Sequence, residues 1–497
     1  MWRYVWMSEM RALKAAIVSL ALLLLVAGCG ANDAKRAVDP AGARTSKQNR
    51  AATPEQPADD RPNILFVVTD DMEQEMLREM PVVQRRLVHE GVRFDNAFVS
   101  NSLCCPSRAT MLRGQYSHNH HVQSNSMPDG GAVRFRQLGR DRSTFATWLQ
   151  DSGYRTALVG KYLNNTQEDY IPPGWDEWYA MIGSASDHTL DENGQVNDYP
   201  NVRQMTDVYQ AKAMGFLRHA TDETSDPPFM LWLGTWAPHL PAKFAGRHAD
   251  LYKNAKLRTP PSFNERDLSD KPRWLREVPR LTEEEIRALQ TENRDRLRSL
   301  RDVDEMVGTI MNLLRDRKEL DNTYVVFTTD NGLQRGEHRL LKKSTPYEEA
   351  AGVPLVIRGP GVPAGVARDQ LVINNDFAPT FADWAGVDIP AFVDGRSLAP
   401  LLAADPPASS AWRAAILNER HQKKPSHVPE YEAVRTGTHT FVQWETGERE
   451  LYDLRRDPYQ LDNVYKTADP TLIGRLKTRL KLLEDCAGTT CRAAEGP

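Results

Sequence analysis

Two pairs of residues in this 497-residue chain, Asp70-Asp71 and Asp330-Asn331, offer only oxygen to a ligand. Such oxygens suit hard divalent cations, Ca²⁺ or Mg²⁺, and not zinc, which favours nitrogen and sulfur. Between the pairs lies Cys104-Cys105-Pro106-Ser107-Arg108, a thiol followed one helical turn later by a guanidinium. Lys161 closes the stretch that begins at Gly153-Tyr154, His239 sits in Pro238-His239-Leu240-Pro241, and Lys343 stands beside Lys342, four residues before Tyr347-Glu348. Each has an ordinary structural use on its own. An Asp-Asp can cap or turn a chain, an arginine near a helix start can be a surface cation, and a lysine is most often in water. Together they describe a hard-cation site accompanied by a sulfur, a guanidinium, ammonium groups and an imidazole.

These groups need elements to gather them. Asn63-Ile64-Leu65-Phe66-Val67-Val68-Thr69 runs into Asp70-Asp71, and Tyr324-Val325-Val326-Phe327-Thr328-Thr329 runs into Asp330-Asn331. Phe229-Met230-Leu231-Trp232-Leu233-Gly234 leads to His239, and Thr156-Ala157-Leu158-Val159 leads to Gly160-Lys161. Short apolar runs rich in β-branched and aromatic residues read as buried strands of an α/β sheet, separated by helices. Ligands of such sheets gather at the carboxyl ends of the strands, so four strand ends would deliver these groups to one crevice.

Thr282 to Glu285 fits a capping box, and Leu297, Leu300, Val303, Met306, Val307, Ile310, Leu313 and Leu314 then recur at helical spacing. The charged residues between them read as a solvated face, and the helix is assigned no chemistry. After Ala385 the pattern changes. Gly386 to about Pro407 is Pro-rich and loop-like, strand-like pieces follow at Ala414 to Leu417, Thr440 to Trp444 and Glu450 to Leu454, and a final helix is expected from about Pro470 to Leu483. Ile171 to Asn201 and Ala242 to Arg280 carry no readable pattern. The expectation is an α/β domain over 62–385 and a smaller subdomain over 386–497, an antiparallel sheet with one helix.

The pentapeptide at Cys104, with Ala109 to Gly114 behind it, resembles the C-x-P-S-R signature of the type I sulfatases. Gly153 to Lys161 resembles the second signature of that family, G-Y-x-T-x-x-x-G-K, and Pro238 to Pro241 its P-H-x-P. The resemblance implies an alkaline-phosphatase-like fold, a large mixed central sheet flanked by helices. It also implies that a maturation enzyme oxidises Cys104 to formylglycine, and that Asp70, Asp71, Asp330 and Asn331 bind Ca²⁺ together with residue 104, Mg²⁺ being the other candidate.

A sulfate monoester repels nucleophiles and has a poor leaving group, so its hydrolysis needs positive charge, an activated nucleophile and an acid. By resemblance, the hydrated aldehyde carries two hydroxyls, one to attack sulfur and one to release sulfate. Arg108 would hold the hydrate, Lys161 would bind sulfate and nucleophile, and His239 would sit on the sulfate near the leaving oxygen. Lys343 matches the second sulfate-binding lysine and is the candidate acid; its choice over Lys342 rests on spacing alone. Ser107 would assist locally.

One position departs from the pattern. Many sulfatases carry a histidine two residues after the first lysine, as the base that drives sulfate release, but Leu163 stands there, with Asn164 next. Gly160-Lys161-Tyr162-Leu163-Asn164 instead resembles N-acetylglucosamine-6-sulfatases and the extracellular glucosamine 6-O-endosulfatases. His118, His120, His121 and His338 are candidate bases, each with a structural role as the competing use. The expected activity is hydrolysis of a sulfated sugar, of the N-acetylglucosamine-6-sulfate kind, or of an aryl sulfate. The alternatives are a phosphonate monoester or phosphodiester hydrolase of the same superfamily and a catalytically silent glycan-binding lipoprotein.

The rest of the chain bounds the setting. Arg11 and Lys14 precede an apolar run from Ala15 to Ala27, right for a signal-peptide core, and Leu25-Val26-Ala27-Gly28-Cys29 resembles a bacterial lipobox. Residues 1–29 are thus expected to be a lipoprotein signal, with lipid on Cys29 anchoring the protein to the cell membrane or surface, outside the cytoplasm. Residues 30–61, nearly devoid of large apolar side chains, read as a disordered tether. In that oxidising setting Cys486 and Cys491 can close a short loop as a disulfide, and Cys105 is expected to be a small buried hydrophobe. A net charge of -4 and the lack of a basic patch with interleaved aromatics argue against nucleic-acid binding.

Overall fold

The computed structural model describes residues 59–183, 188–222, 227–422 and 426–497. The expected signal segment with Cys29, and the tether as far as residue 58, lie outside the described residues. Arg61, near the start of the described chain, already donates to Ser152 O at 2.9 Å and lies over the Tyr154 ring.

The apolar runs form the middle of a ten-stranded mixed sheet. Its parallel centre is ordered Thr323–Thr329, Asn63–Thr69, Phe229–Gly234, Arg155–Gly160, Glu177–Ile182. Every residue of Asn63–Thr69 is buried, with Ile64, Phe66 and Val68 in the core on one face and Leu65 and Val67 in the core on the other. That is why this strand shows no polar alternation. Helices Cys104–Arg113, Phe145–Asp151 and Phe377–Trp384 cover the first face, and Thr206–Ala220 and the long Glu283–Asp316 cover the second.

Register brings the strand ends together. Thr69 pairs with Thr329, Val68 with Gly234, and Gly160 with Gly234. Asp70, Asp330 and Lys161 therefore leave the sheet side by side. The crossing is too tight for side chains: Gly160 has φ +94°, and a Cβ there would lie 1.9 Å from Gly234 O. Asp70 N then donates to Ala237 O at 3.2 Å and Asp330 N to Thr69 O at 3.1 Å, so the loops beyond the strands are laced to one another.

The smaller subdomain is the expected antiparallel sheet, Ala415–Arg420, Tyr431–Thr436, His439–Trp444 and Arg449–Asp453 in sequential order. Helix Pro470–Glu484 packs on it, and the Cys486–Cys491 disulfide leads into a further short helix, Thr489–Glu495, which sequence reading left out. Ile171 to Asn201 is not loop throughout. Glu177–Ile182, Thr189–Glu192 and Gln195–Asp198 extend the large sheet to one edge, the last of them exposed along its whole length.

Candidate active site

Cys104 opens its helix from within the protein, 1 % exposed. Its Sγ lies 3.6 Å from Asp70 Oδ1 and 2.7 Å from Lys343 Nζ. One turn on, Arg108 is fully buried and donates through Nε to Asp330 Oδ2 at 2.7 Å, through Nη1 to Lys161 O at 2.8 Å and through Nη2 to Thr69 O at 3.4 Å. The helix thus carries both the sulfur and the cation that fastens it to three strand ends. Ser107 Oγ accepts from Asn374 Nδ2 at 2.9 Å, a local support. Cys105 is completely buried.

The carboxylates are matched by ammonium groups. Lys161 pairs with Asp70 and lies 3.8 Å from Asp330 Oδ2, while Lys343 pairs with Asp71. Lys342, by contrast, is exposed. Asp71 Oδ1 also accepts from Asn331 Nδ2 at 2.7 Å, and Asp71 N donates to Asp330 Oδ1 at 3.2 Å. His239 Nδ1 donates to Leu240 O at 2.5 Å, which leaves Nε2 facing the site, 3.5 Å from Asp71 Oδ2. The Trp236 ring forms a wall beside both, 4.4 Å from the His239 ring and 5.2 Å from Lys161 Nζ.

Burial alone would raise the carboxyls, but Arg108, Lys161 and Lys343 hold Asp330 well below the usual carboxylate range, and Lys343 and His239 lower Asp71. Burial likewise opposes the charge on Lys343, yet Asp71 keeps it well above the ordinary lysine value. The Cys104 thiol goes the other way. Desolvation pushes it up to about 12 despite the two lysines, so it is protonated at neutral pH and a weak nucleophile as a thiol.

Asp70, Asp71, Asp330 and Cys104 bring ligand atoms within 4.8 Å of one another, all buried, and Asn331 Oδ1 is buried with no partner. An unpartnered buried oxygen beside three carboxylates fits a hard divalent cation. Three carboxylates face three side-chain cations here, so a bound divalent cation would leave about two positive charges in excess, suited to an anionic ester.

Of the four histidines that are candidate bases, three are engaged elsewhere. His118 pairs with Glu419 at 2.9 Å, His120 bonds Thr110 Oγ1 at 3.0 Å, and His338 bonds Glu265 at 2.6 Å; His121 lies at the left-handed end of its short helix. Sequence reading also missed Arg296. The long helix does not turn all its charges to solvent: Arg296, Asp302 and Asp304 are buried. Arg296 donates to Asp71 O, to Pro238 O at 3.1 Å and to Glu73 Oε1. The signal was present, since Arg296 stands four residues before Leu300 and seven before Val303, on the apolar stripe itself.

The family model described as Sulfatase matches residues 62–387, and one described as N-sulphoglucosamine sulphohydrolase, C-terminal, matches 336–485. Human N-acetylglucosamine-6-sulfatase is 31% identical over 481 residues, covering 87% of this chain and 86% of its own. The extracellular sulfatase SULF-1 homolog of Drosophila melanogaster is 36% identical over 69% of this chain. The chain spans about half or less of such extracellular relatives, 31% of the Drosophila protein and 53% of one from Caenorhabditis elegans. A solved structure in complex with its substrate D-glucosamine-2-N,6-O-disulfate aligns with a TM-score of 0.75 at 26% identity, over 88% of this chain and 100% of that one. The chain belongs to the sulfatase family, a family of sulfuric ester hydrolases.

Proposed function

We propose that the protein removes sulfate from a 6-O-sulfated glucosamine-type sugar, using formylglycine made from Cys104 and a Ca²⁺ or Mg²⁺ ion held by Asp70, Asp71, Asp330 and Asn331. The observation that carries this reading is the position of Cys104 Sγ, buried between Asp70 Oδ1 at 3.6 Å and Lys343 Nζ at 2.7 Å, with Arg108 one turn behind it. The substrate class follows two relatives, one named for N-acetylglucosamine-6-sulfate and one bound to a 6-O-sulfated glucosamine.

Formylglycine, once hydrated, would supply two hydroxyls on one carbon, and the cation would supply positive charge beside them. The chain's own groups do the rest. Arg108, fixed by Asp330 and two carbonyls, orients residue 104. Lys161 and Lys343 neutralise sulfate oxygens at a largely buried site, where each charge counts for more than in water. Lys343, 11% exposed in its side chain, and His239, 27% exposed, are the two groups at the open side of the site. Lys343 is the acid for the leaving oxygen, and His239 Nε2 binds beside it. We read the protein as extracytoplasmic, lipid-anchored through Cys29, and dependent on a maturation enzyme for Cys104.

The test is mass spectrometry of the Cys104 peptide from native material, with parallel assays on a 6-sulfated N-acetylglucosaminide, an aryl sulfate, a phosphate diester and a phosphonate monoester. We expect an aldehyde at 104, sulfate esters turned over fastest, and a loss of at least ~10³-fold in Cys104→Ala. A thiol throughout, with Cys104→Ala fully active, would sink the mechanism; faster turnover of the phosphorus esters would sink the substrate class.

A further inference from the structure

We propose that Arg296 is a positioning residue that joins cation binding at Asp71 to the placement of His239. This rests on the sulfate-ester reading above but concerns a residue outside its machinery. Arg296 lies in the middle of the long helix, fully buried, and touches none of the site's side chains. Its guanidinium instead holds the backbone of two loops at once, through Nη2 to Asp71 O and Nε to Pro238 O, and Nη1 pairs with Glu73.

The two carbonyls belong to the residues whose spacing matters. Asp71 adopts φ +60°, a left-handed conformation that a non-glycine residue keeps only where its surroundings hold it. Its side chain in turn meets Asn331, Lys343 and His239. Pro238 immediately precedes His239. The backbone contact Asp70 N to Ala237 O joins the same loops one residue nearer the sheet, and Arg296 fixes the next step outward, where the functional side chains leave.

An arginine suits the task because its planar fork points several donors in fixed directions and it never competes as an acceptor. A lysine has one nitrogen and cannot span both carbonyls and Glu73 in the same way. Glu73 supplies the counter-charge, so a cation can sit inside the protein without drawing on the site's own carboxylates. The rest of the helix works alike: Asp302 accepts from Ala245 N at 2.9 Å, and Asp304 from Val82 N and Val83 N at 2.9 and 2.8 Å.

The test compares the mature wild-type enzyme with Arg296→Met and Arg296→Lys, reading two quantities. One is the apparent calcium affinity, from the rise in melting temperature with added CaCl₂; the other is kcat and KM on a 6-sulfated N-acetylglucosaminide. Partners that orient metal ligands from outside the site typically change affinity or activity ~10–100-fold. For Arg296→Met we expect ~10-fold weaker calcium binding and ~10–100-fold lower kcat with KM within about threefold, and for Arg296→Lys partial recovery of both. If Arg296→Met melts lower but keeps calcium affinity and kcat within about twofold, the residue only packs and the proposal is overturned. If that variant does not fold, Arg296→Lys and Glu73→Gln decide: wild-type affinity and kcat in both overturn it, and weakening of both quantities in either upholds it. A wild type that binds calcium but hydrolyses no sulfate ester refutes the sulfatase reading, while the calcium readout still decides whether Arg296 holds Asp71.

Discussion

Among the described residues, the cluster of charge around Arg413 and the one at the strand ends are built differently. Behind the smaller sheet, Arg413 donates to both oxygens of Asp376, at 2.6 and 2.7 Å, and to Glu495 Oε2 at 2.8 Å. Glu495 Oε1 accepts from Tyr116 at 2.7 Å, and Asp376 accepts further from Ile373 N and Arg396 N. Every side-chain oxygen and nitrogen of Arg413, Asp376 and Glu495 has a partner, and of the neighbouring Arg396, which pairs with Glu495 at 3.1 Å, Nε is buried without one. At the strand ends, Asp70, Asp71 and Asp330 crowd together, Asn331 Oδ1 is left without a partner, and Lys343 and His239 reach the open side. A saturated network specifies how two parts of a fold meet; an unsaturated one keeps capacity for a ligand and for proton transfer.

If that contrast is right, equal insults should have opposite signatures. The largest effect is expected for Asp71→Asn, which removes the negative charge that meets Lys343 and His239 and leaves one acceptor oxygen in place of two. Hydrolysis should fall ~10³-fold, while denaturant melts move by less than ~2 kcal/mol because Lys343 can turn to water. Arg413→Met should do the reverse. Asp376 would be left buried without its cation and Glu495 with Arg396 alone, a defect of ~3–5 kcal/mol, yet kcat/KM of the folded fraction should stay within about threefold. Chemical denaturation and steady-state kinetics on both variants are the measurement. An Asp71→Asn protein destabilised as much as Arg413→Met, or an Arg413→Met protein that folds and is inactive, would break the distinction.

The same contrast explains what could be read from sequence. Strand ends were legible because parallel central strands are buried on both faces, so their apolar runs are unbroken and the first charged residue marks the exit. Asp70, Asp330 and Lys161 stand at those exits. The edge strands at Thr189–Glu192 and Gln195–Asp198 were not legible, since an edge strand in water needs neither an apolar run nor alternation. Arg296 was lost for a different reason. A hydrophobic stripe is defined by its apolar members, and a charge lying on that stripe is read as an interruption, although its position there means it faces the protein. Lys343 could be told from Lys342 only through resemblance to a family, because two adjacent lysines carry the same composition signal; the contact with Cys104 Sγ separates them. The four histidines set aside as candidate bases carried no spacing that would show three of them bonded to Glu419, Thr110 and Glu265.

The smallest effect belongs to the margin of the saturated region. His118 Nδ1 bonds Glu419 Oε2 at 2.9 Å and its Nε2 meets Cys486 O at 3.0 Å, tying the segment after helix Cys104–Arg113 to the smaller subdomain and its disulfide loop. Nε2 can only donate to a carbonyl, so both ring nitrogens carry protons here. Burial would lower this imidazole, but Glu419 and the carbonyl raise it to about 9. In the unfolded chain it titrates near its ordinary value, about 6.5. A group raised on folding contributes stability that is complete below the unfolded value and is lost as pH climbs through the folded one. Unfolding free energy should therefore fall by ~1–3 kcal/mol between about pH 6.5 and 9, and His118→Gln, which cannot titrate, should flatten that slope without changing kcat at pH 7 by more than about twofold. Denaturant melts across this window, paired with kinetics at pH 7, decide it. If the slope survives the substitution, the pH sensitivity lies outside this contact; if activity collapses with it, His118 acts on the catalytic centre and the two charged regions are less independent than their hydrogen bonds indicate.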